Sequence, residues 1–258
     1  MSESQTDGTR AAAAAAGGAE KREYVQTIFE EIAPRYDLLN HLLSFNIDRR
    51  WRRAALEALE WSRRPAGRYL DLCAGTLDVA AQLAKTPGFA GTVIGADFAL
   101  PMLRAGKGKA PSDVVPPVAA DAQQLPFPDG SMDGAIVAFG IRNVASLDAA
   151  LAEVQRVLRP GARFVILEFT TPRAWLVRTG YQLYFHHVLP TVGGLVSGHR
   201  SAYDYLPRSV AHFPREEALA ERMRAAGFDD VTWRSLTFGV AAIHAGRRPA
   251  AAGSQVRS

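Results

Sequence analysis

The sequence predicts an α/β protein: a Rossmann-like, doubly wound, mostly parallel sheet with helices on both faces. Three observations carry that expectation. Between Arg68 and Asp97 one apolar run ends at a glycine turn, a helix-patterned stretch follows, and a second apolar run ends on an acid, which together read as a βαβ unit. Beyond it, apolar runs and helical patterns keep alternating, the order in which helices cross over a parallel sheet. At 258 residues and 48% hydrophobic content, the chain can bury one substantial core more readily than two.

Taken in order, Tyr24 to Trp61 reads as two or three helices carrying Tyr36, Asp37, Asn40, Trp51 and a cluster of arginines. Tyr69 to Cys73 is the first strand, Gly75 the tight turn, and Leu77 to Lys85 the helix whose free amides face a ligand. The second strand ends at Asp97. Leu100 to Lys107 is a short helix, and Val114 to Ala119 a third strand softened by Pro116 and Pro117. A turn-rich stretch from Asp121 leads into the fourth strand, Gly134 to Phe139. Leu147 to Leu158 has helical spacing with Asp148 in its first turn, and Arg159-Pro-Gly separates it from a fifth strand, Arg163 to Phe169. Arg215 to Ala226 is an amphipathic helix closed by Gly227. Val231 to Leu236 and Val240 to Ala245 then pair around Phe238-Gly239, completing a seven-stranded sheet with an antiparallel edge strand.

Residues 1–22 read as a disordered tail, being polar, then rich in Ala, then Gly-Gly, and residues 247–258 as a loose end. What lies between, residues 23–246, is one domain with a helical cap at 23–62 and an insertion at 172–213. Cap and insertion are expected over the carboxyl edge of the sheet, where ligands of open α/β sheets bind. A formal charge of +4 on scattered arginines gives no reason to invoke nucleic acid. The lone cysteine, Cys73, falls inside the first strand as a small apolar residue, which excludes disulfides and fits a reducing cytoplasm. No apolar stretch is long enough to span a bilayer.

Chemistry enters at the first turn. Asp97 follows Gly75 by about twenty residues, the spacing at which a strand-end carboxylate accepts hydrogen bonds from both hydroxyls of a ribose. A dinucleotide pyrophosphate needs several glycines, and only Gly75 stands in this loop. A loop beside Asp71 and Asp78 instead suits a cofactor bearing a sulfonium and an ammonium, since acids attract those cations and repel phosphate. The expected cofactor is S-adenosyl-L-methionine, on a class I methyltransferase fold. The alternative for Asp71 is a helix cap, and for Asp97 a plain strand end.

Seven segments together sharpen this: YDLLN at Tyr36 to Asn40, LSFNIDRRW at Leu43 to Trp51, LPFPD at Leu125 to Asp129, FGIRNV at Phe139 to Val144, LEF at Leu167 to Phe169, HVLP, and the later Ser201 to Leu206. On these motifs the chain resembles the menaquinone and ubiquinone C-methyltransferase family from about Tyr24 to Gly246. The resemblance implies methyl transfer to a ring carbon of a prenylated naphthoquinol, demethylmenaquinol, in the last step of menaquinone biosynthesis. The alternative acceptor is a polyprenyl benzoquinol of ubiquinone biosynthesis. It also implies cofactor contacts at Thr76, Asp97, Asp121 and Ala122. Asp121 would accept from the adenine amino group, and a family serine contact falls on Ala138, which has no hydroxyl. Leu77 stands where the family has a second glycine, so its side chain is expected to fill space beside the cofactor or shift the loop.

Carbon methylation needs an electron-rich ring and loss of a proton, so positioning and electrostatics do most of the work. Arg142, always charged, is expected to stabilise the quinolate and hold a relay water, with Asn143 orienting it. Tyr36 and Asp37 would close the site from the cap, and His186, His187 or His199 could share base duty. No metal is implied. Trp175 to Leu195 would hold the prenyl tail, with the lid or the Arg49 to Arg53 cluster docking transiently to anionic lipid from the cytoplasm. A homodimer is left open. Weighed against this reading are a methyltransferase for another small acceptor, a non-catalytic cofactor-binding protein, and an NAD-linked oxidoreductase, the last disfavoured by the single glycine.

Overall fold

The computed structural model describes residues 19–32, 44, 46–184 and 200–250. One seven-stranded sheet organises them, in the order β3-β2-β1-β4-β5-β7-β6. The strands are β1 (Arg68–Leu72), β2 (Thr92–Asp97), β3 (Pro117–Ala119), β4 (Met132–Ala138), β5 (Leu158–Phe169), β6 (Asp229–Leu236) and β7 (Ala241–Arg247). The helices are α1 (Ala19–Ile32), α2 (Ile47–Ala58), α3 (Asp78–Ala84), α4 (Leu100–Ala105), α5 (Leu147–Val157), α6 (Trp175–Leu183), α7 (Arg200–His212) and α8 (Glu216–Ala225).

β1 pairs in parallel with both β2 and β4, so the chain reverses its direction of travel across the sheet between them. That switch point opens a crevice at the carboxyl ends of the central strands. Side-chain alternation divides the core into two layers. Leu70, Leu72, Val137, Phe164 and Ile166 face α5 and α8, while Tyr69, Val93, Ile136, Val165 and Leu167 face α2 and α3. Both faces are covered, which is why these runs are apolar almost throughout.

Three expectations change. β7 is the antiparallel strand, but it lies between β5 and β6, and the edge strand β6 runs parallel to β5. A hairpin pattern fixes how two strands pair with each other and says nothing about which of them docks on the sheet. Residues 19–22, expected within the amino-terminal tail, instead belong to α1, which begins at Ala19 and turns Lys21, Val25 and Ile28 inward at i, i+4, i+7 spacing. At the other end Arg248 still bonds Ala162 through its amide at 2.9 Å, so the ordered edge outlasts Arg247.

α1 packs on α4, α7 and the short 3₁₀ turn at Ile141–Asn143. Part of the expected cap and part of the insertion therefore meet directly behind that turn.

Candidate active site

The crevice is a cleft of about 720 Å³, including space open to solvent, between the ends of β1, β2 and β4. Gly75, Asp97, Asp121, Ala122, Ala138 and Asn143 line it, so six of the residues singled out from sequence converge there. Asp97 sits at the end of β2, and its two oxygens accept the Gly75 amide and the Ala99 amide, each at 2.8 Å. A carboxylate has about four acceptor positions, so with the nearby amides satisfied Asp97 still retains capacity toward the cleft. Burial pushes the Asp97 carboxyl above its ordinary range, against the amides of Ala99, Gly75 and Phe98 that favour the anion. Asp121 turns Gln123 inward through that residue's amide at 2.9 Å. On the far wall, Gly140 allows β4 to end against β1: a Cβ there would meet the Cys73 Cβ at 2.4 Å.

Asp71 and Thr76 are buried but do not line the cleft. Asp71 lies under the loop and accepts the Ala80 amide at 3.0 Å, so the helix-cap alternative describes its contacts. Burial raises its pKa to about 7, helped by Asp97 and Asp78 and opposed by the Ala80 amide and Arg52. Asp78 does not face a cofactor cation either. Arg52 and Lys109 each approach it at 2.6 Å and, against the cost of burial, hold its pKa below the ordinary value. The expected charge match survives in a different form. The only charged residues lining the cleft, among those described, are Asp97 and Asp121.

Leu77 does not line the cleft. It adopts φ 64°, the left-handed conformation expected of a glycine, and is 4% exposed, packed with Val79, Leu83 and Leu103 on the opposite side of the turn.

Arg142 is where the structure adds most. FGIRNV ends β4 and folds into the 3₁₀ turn, with Phe139 at φ 59°, and this bends the guanidinium back toward the sheet. Its Nη1 donates to Glu168 Oε1 at 2.7 Å and to the Phe139 carbonyl at 2.5 Å, and Nε donates to Ser209 Oγ at 3.3 Å. The guanidinium lies 5.6 Å from the Phe169 ring centre, within cation–π range. Arg142 thus follows the fourth strand as expected and is in addition buried and ion-paired with Glu168. Lys21 of α1 donates to its carbonyl at 2.7 Å. Beside it, Asn143 faces the cleft with Oδ1 buried and without a hydrogen-bond partner.

Glu168, Ser209, Tyr205 and Lys21 were not assigned from sequence. Glu168 and Tyr205 carried a signal, each lying in a motif of the family resemblance, and Glu168 also as an acid inside an apolar strand at the ligand-binding edge. Burial raises its carboxyl pKa, against Arg142 and the Phe169 amide, which favour the anion. Tyr36, Asp37, His186, His187 and His199 lie outside the described residues.

The ubiE/COQ5 methyltransferase family description matches residues 18–248. A demethylmenaquinone methyltransferase of Thermus thermophilus is 52% identical over 226 residues, 86% of this chain and 100% of that one. The ubiquinone/menaquinone biosynthesis C-methyltransferase UbiE of Geobacter sulfurreducens is 44% identical over 89% of this chain and 90% of its own. Among solved structures, a SAM-dependent methyltransferase of Thermotoga maritima superposes with a TM-score of 0.57 at 19% identity, covering 86% of this chain and 98% of that one, a likeness of fold alone. On the extent of the family match and of these relatives, the chain belongs to the ubiE/COQ5 methyltransferase family.

Proposed function

We propose that this chain transfers a methyl group from S-adenosyl-L-methionine to a ring carbon of demethylmenaquinol, giving menaquinol. The observation that carries the reading is the cleft itself: a crevice at the switch point whose charged lining is two acids and no cation among the described residues. A cationic cofactor is favoured there and a pyrophosphate is repelled. The donor set fits the group. Asp97 would hold the ribose, Asp121 with Ala122 the adenine, and the Gly75 turn would lie against the amino acid end, with Ala138 closing the floor. When bound, S-adenosylmethionine supplies an electrophilic methyl carbon.

The chain's own part is then to bind the acceptor, orient its ring and accommodate one proton for each methyl gained. Asn143 offers a buried carboxamide oxygen that can accept from a quinol hydroxyl. Arg142, next to it in the chain and behind that wall, would favour the oxygen when it carries negative charge. The acceptor is assigned from the name of the Thermus relative. A benzoquinol acceptor is the second reading, favoured by the name of the Geobacter relative, which covers both pathways.

A prenylated acceptor resides in a bilayer, and the exposed surface suits a peripheral visit. Phe238 is 83% exposed and Trp175 67%, and Gly239 backs onto Pro172, which brings the two stretches together. Exposed Arg49, Arg50 and Arg53 lie on α2, whereas Arg52 is buried against Asp78. No helix among the described residues is long and apolar enough to cross a membrane.

Incubation with labelled S-adenosylmethionine and a short-chain demethylmenaquinol under reducing conditions tests the reaction. Labelled menaquinol is the expected product. Calorimetric binding of NAD with none of S-adenosylmethionine would overturn it. Flotation with anionic liposomes should carry the protein upward, and a protein left wholly in the lower fraction would remove the membrane contact.

A further inference from the structure

Behind the cleft wall stands a second polar group of residues that the cofactor does not need. Arg142 is its centre. Glu168 and the Phe139 carbonyl occupy Nη1 and Ser209 occupies Nε, which leaves Nη2 as the guanidinium nitrogen without a protein hydrogen bond among the described residues. Glu168 is itself fixed, since Oε1 also accepts the Phe169 amide at 2.8 Å. Four residues before Ser209, and so on the same face of α7, comes Tyr205. It is 3% exposed, and its hydroxyl is buried with no hydrogen-bond partner. A buried hydroxyl without a partner costs free energy that a hydrogen bond would recover, so it marks a place where something else is received. Burial raises the Tyr205 pKa to about 12, partly offset by Arg142, so the group is a donor at neutral pH. Asn143 Oδ1, also without a partner, faces the cleft one residue from Arg142.

We propose that Tyr205 is a substrate contact and Glu168 a positioning residue: Glu168 fixes the Arg142 guanidinium so that Nη2 and the Tyr205 hydroxyl converge on one hydroxyl oxygen of the quinol. Two donors on one oxygen stabilise it most when it is anionic, which is the state that activates the neighbouring ring carbon. The quinol O–H bond breaks, its proton passes to solvent, and the new negative charge is met by a guanidinium already held in place. Orientation is the contribution of Glu168, because an arginine left to rotate would spend most of its time off the oxygen. The inference rests on the proposed methyl transfer to a quinol.

The test uses the full chain, S-adenosylmethionine and a short-chain demethylmenaquinol. Glu168→Gln should lower kcat about ten- to a hundredfold while the S-adenosylmethionine dissociation constant stays within about threefold. Tyr205→Phe leaves the ion pair intact and so keeps the test open should Glu168→Gln not fold. It should raise KM for the quinol and lower kcat together, about tenfold in kcat/KM or more, again without weakening the cofactor. Turnover by both variants within threefold of wild type would overturn the proposal, as would parallel loss of cofactor binding and turnover, which marks a structural role. Wild-type protein that binds S-adenosylmethionine yet leaves the quinol unmethylated would instead sink the assigned reaction and this proposal with it.

Discussion

Leu77 occupies the space that a side chain at Gly95 would need: a Cβ on Gly95 would approach Leu77 Cδ2 at 2.2 Å. Leu77 sits at φ 64°, which strains a leucine by roughly 1–2 kcal/mol, and burial of its side chain offsets that strain. The bare backbone of β2 at Gly95 is what lets it do so.

Replacing Leu77 by Gly should relieve the strain and leave a cavity, with net destabilisation on the order of 2 kcal/mol. Cofactor affinity should change by less than about threefold, because Leu77 faces away from the cleft. Gly95→Ala should destabilise the native protein, and far less so in the Leu77→Gly background, where the next neighbour of the new Cβ is Ala74 at 3.5 Å. Chemical denaturation of the four proteins in this cycle measures the coupling. Additive effects would mean the two residues do not compete for the same space.

Asp71 gives a prediction with the opposite balance. Its carboxyl keeps its proton in the fold up to about pH 7, whereas an unfolded aspartate releases it near 3.8. The folded form therefore loses stability as pH rises across that window, and the cost is fully present above it. Asp71→Asn keeps an acceptor for the Ala80 amide and removes the charge. It should stabilise the protein above pH 7 by roughly 1–2 kcal/mol and have little effect below pH 4. If the buried charge also assists a cationic cofactor from beneath the loop, the same variant should bind S-adenosylmethionine a few-fold more weakly. Unchanged affinity in calorimetry would leave Asp71 a helix cap alone.

The sheet was legible because its evidence is local. A buried parallel strand announces itself by an apolar run, and Asp97 by closing one at a set distance from Gly75. What escaped was every relation in which a side chain's direction decides the outcome. Asp71 and Asp78 looked alike as acids beside the turn, yet one points beneath α3 and the other out to Arg52 and Lys109. Leu77 looked like an obstruction because a left-handed leucine is rare, and nothing in its own neighbourhood shows that Gly95 and Gly106 make room on the far side. Glu168, Ser209 and Lys21 reach Arg142 across sequence separations of 26, 67 and 121 residues, distances that no periodicity reports.

Asn143 should separate stability from activity. Its Oδ1 has no partner, so Asn143→Ala removes an unsatisfied buried atom at little cost, and the thermal midpoint should move by no more than about 2 °C. Methyl transfer should fall about tenfold or more if the carboxamide receives the quinol. A folded variant with full turnover would show that the acceptor is held elsewhere.

Asp133, like Asp78, Glu60 and Glu153, has its carboxyl held below the ordinary value, so it runs opposite in sign to Asp71. Its carboxylate lies on the amino side of the sheet, where it accepts the Arg68 amide at 2.9 Å and pairs with Arg159 at 2.6 Å and Arg64 at 3.0 Å. Although burial works against the anion, the Arg68 amide and the two guanidinium groups hold its pKa below 3.8. A depressed carboxyl contributes stability that is present above the unfolded value and is lost as pH falls through the folded one. Asp133 should therefore steepen unfolding below about pH 4, where Asp71, protonated in both states, no longer matters. Because Arg64 and Arg159 are substantially exposed, solvent screens the pairing, and Asp133→Asn should cost on the order of 1 kcal/mol at pH 7. That cost should shrink toward zero by pH 3, so the two stability curves converge from the acid side, while those of Asp71→Asn and wild type converge there and part as pH rises. Denaturant midpoints taken from pH 3 to 8 read both directions in one series, and parallel curves for Asp133→Asn would assign its effect to the Arg68 hydrogen bond and not to charge.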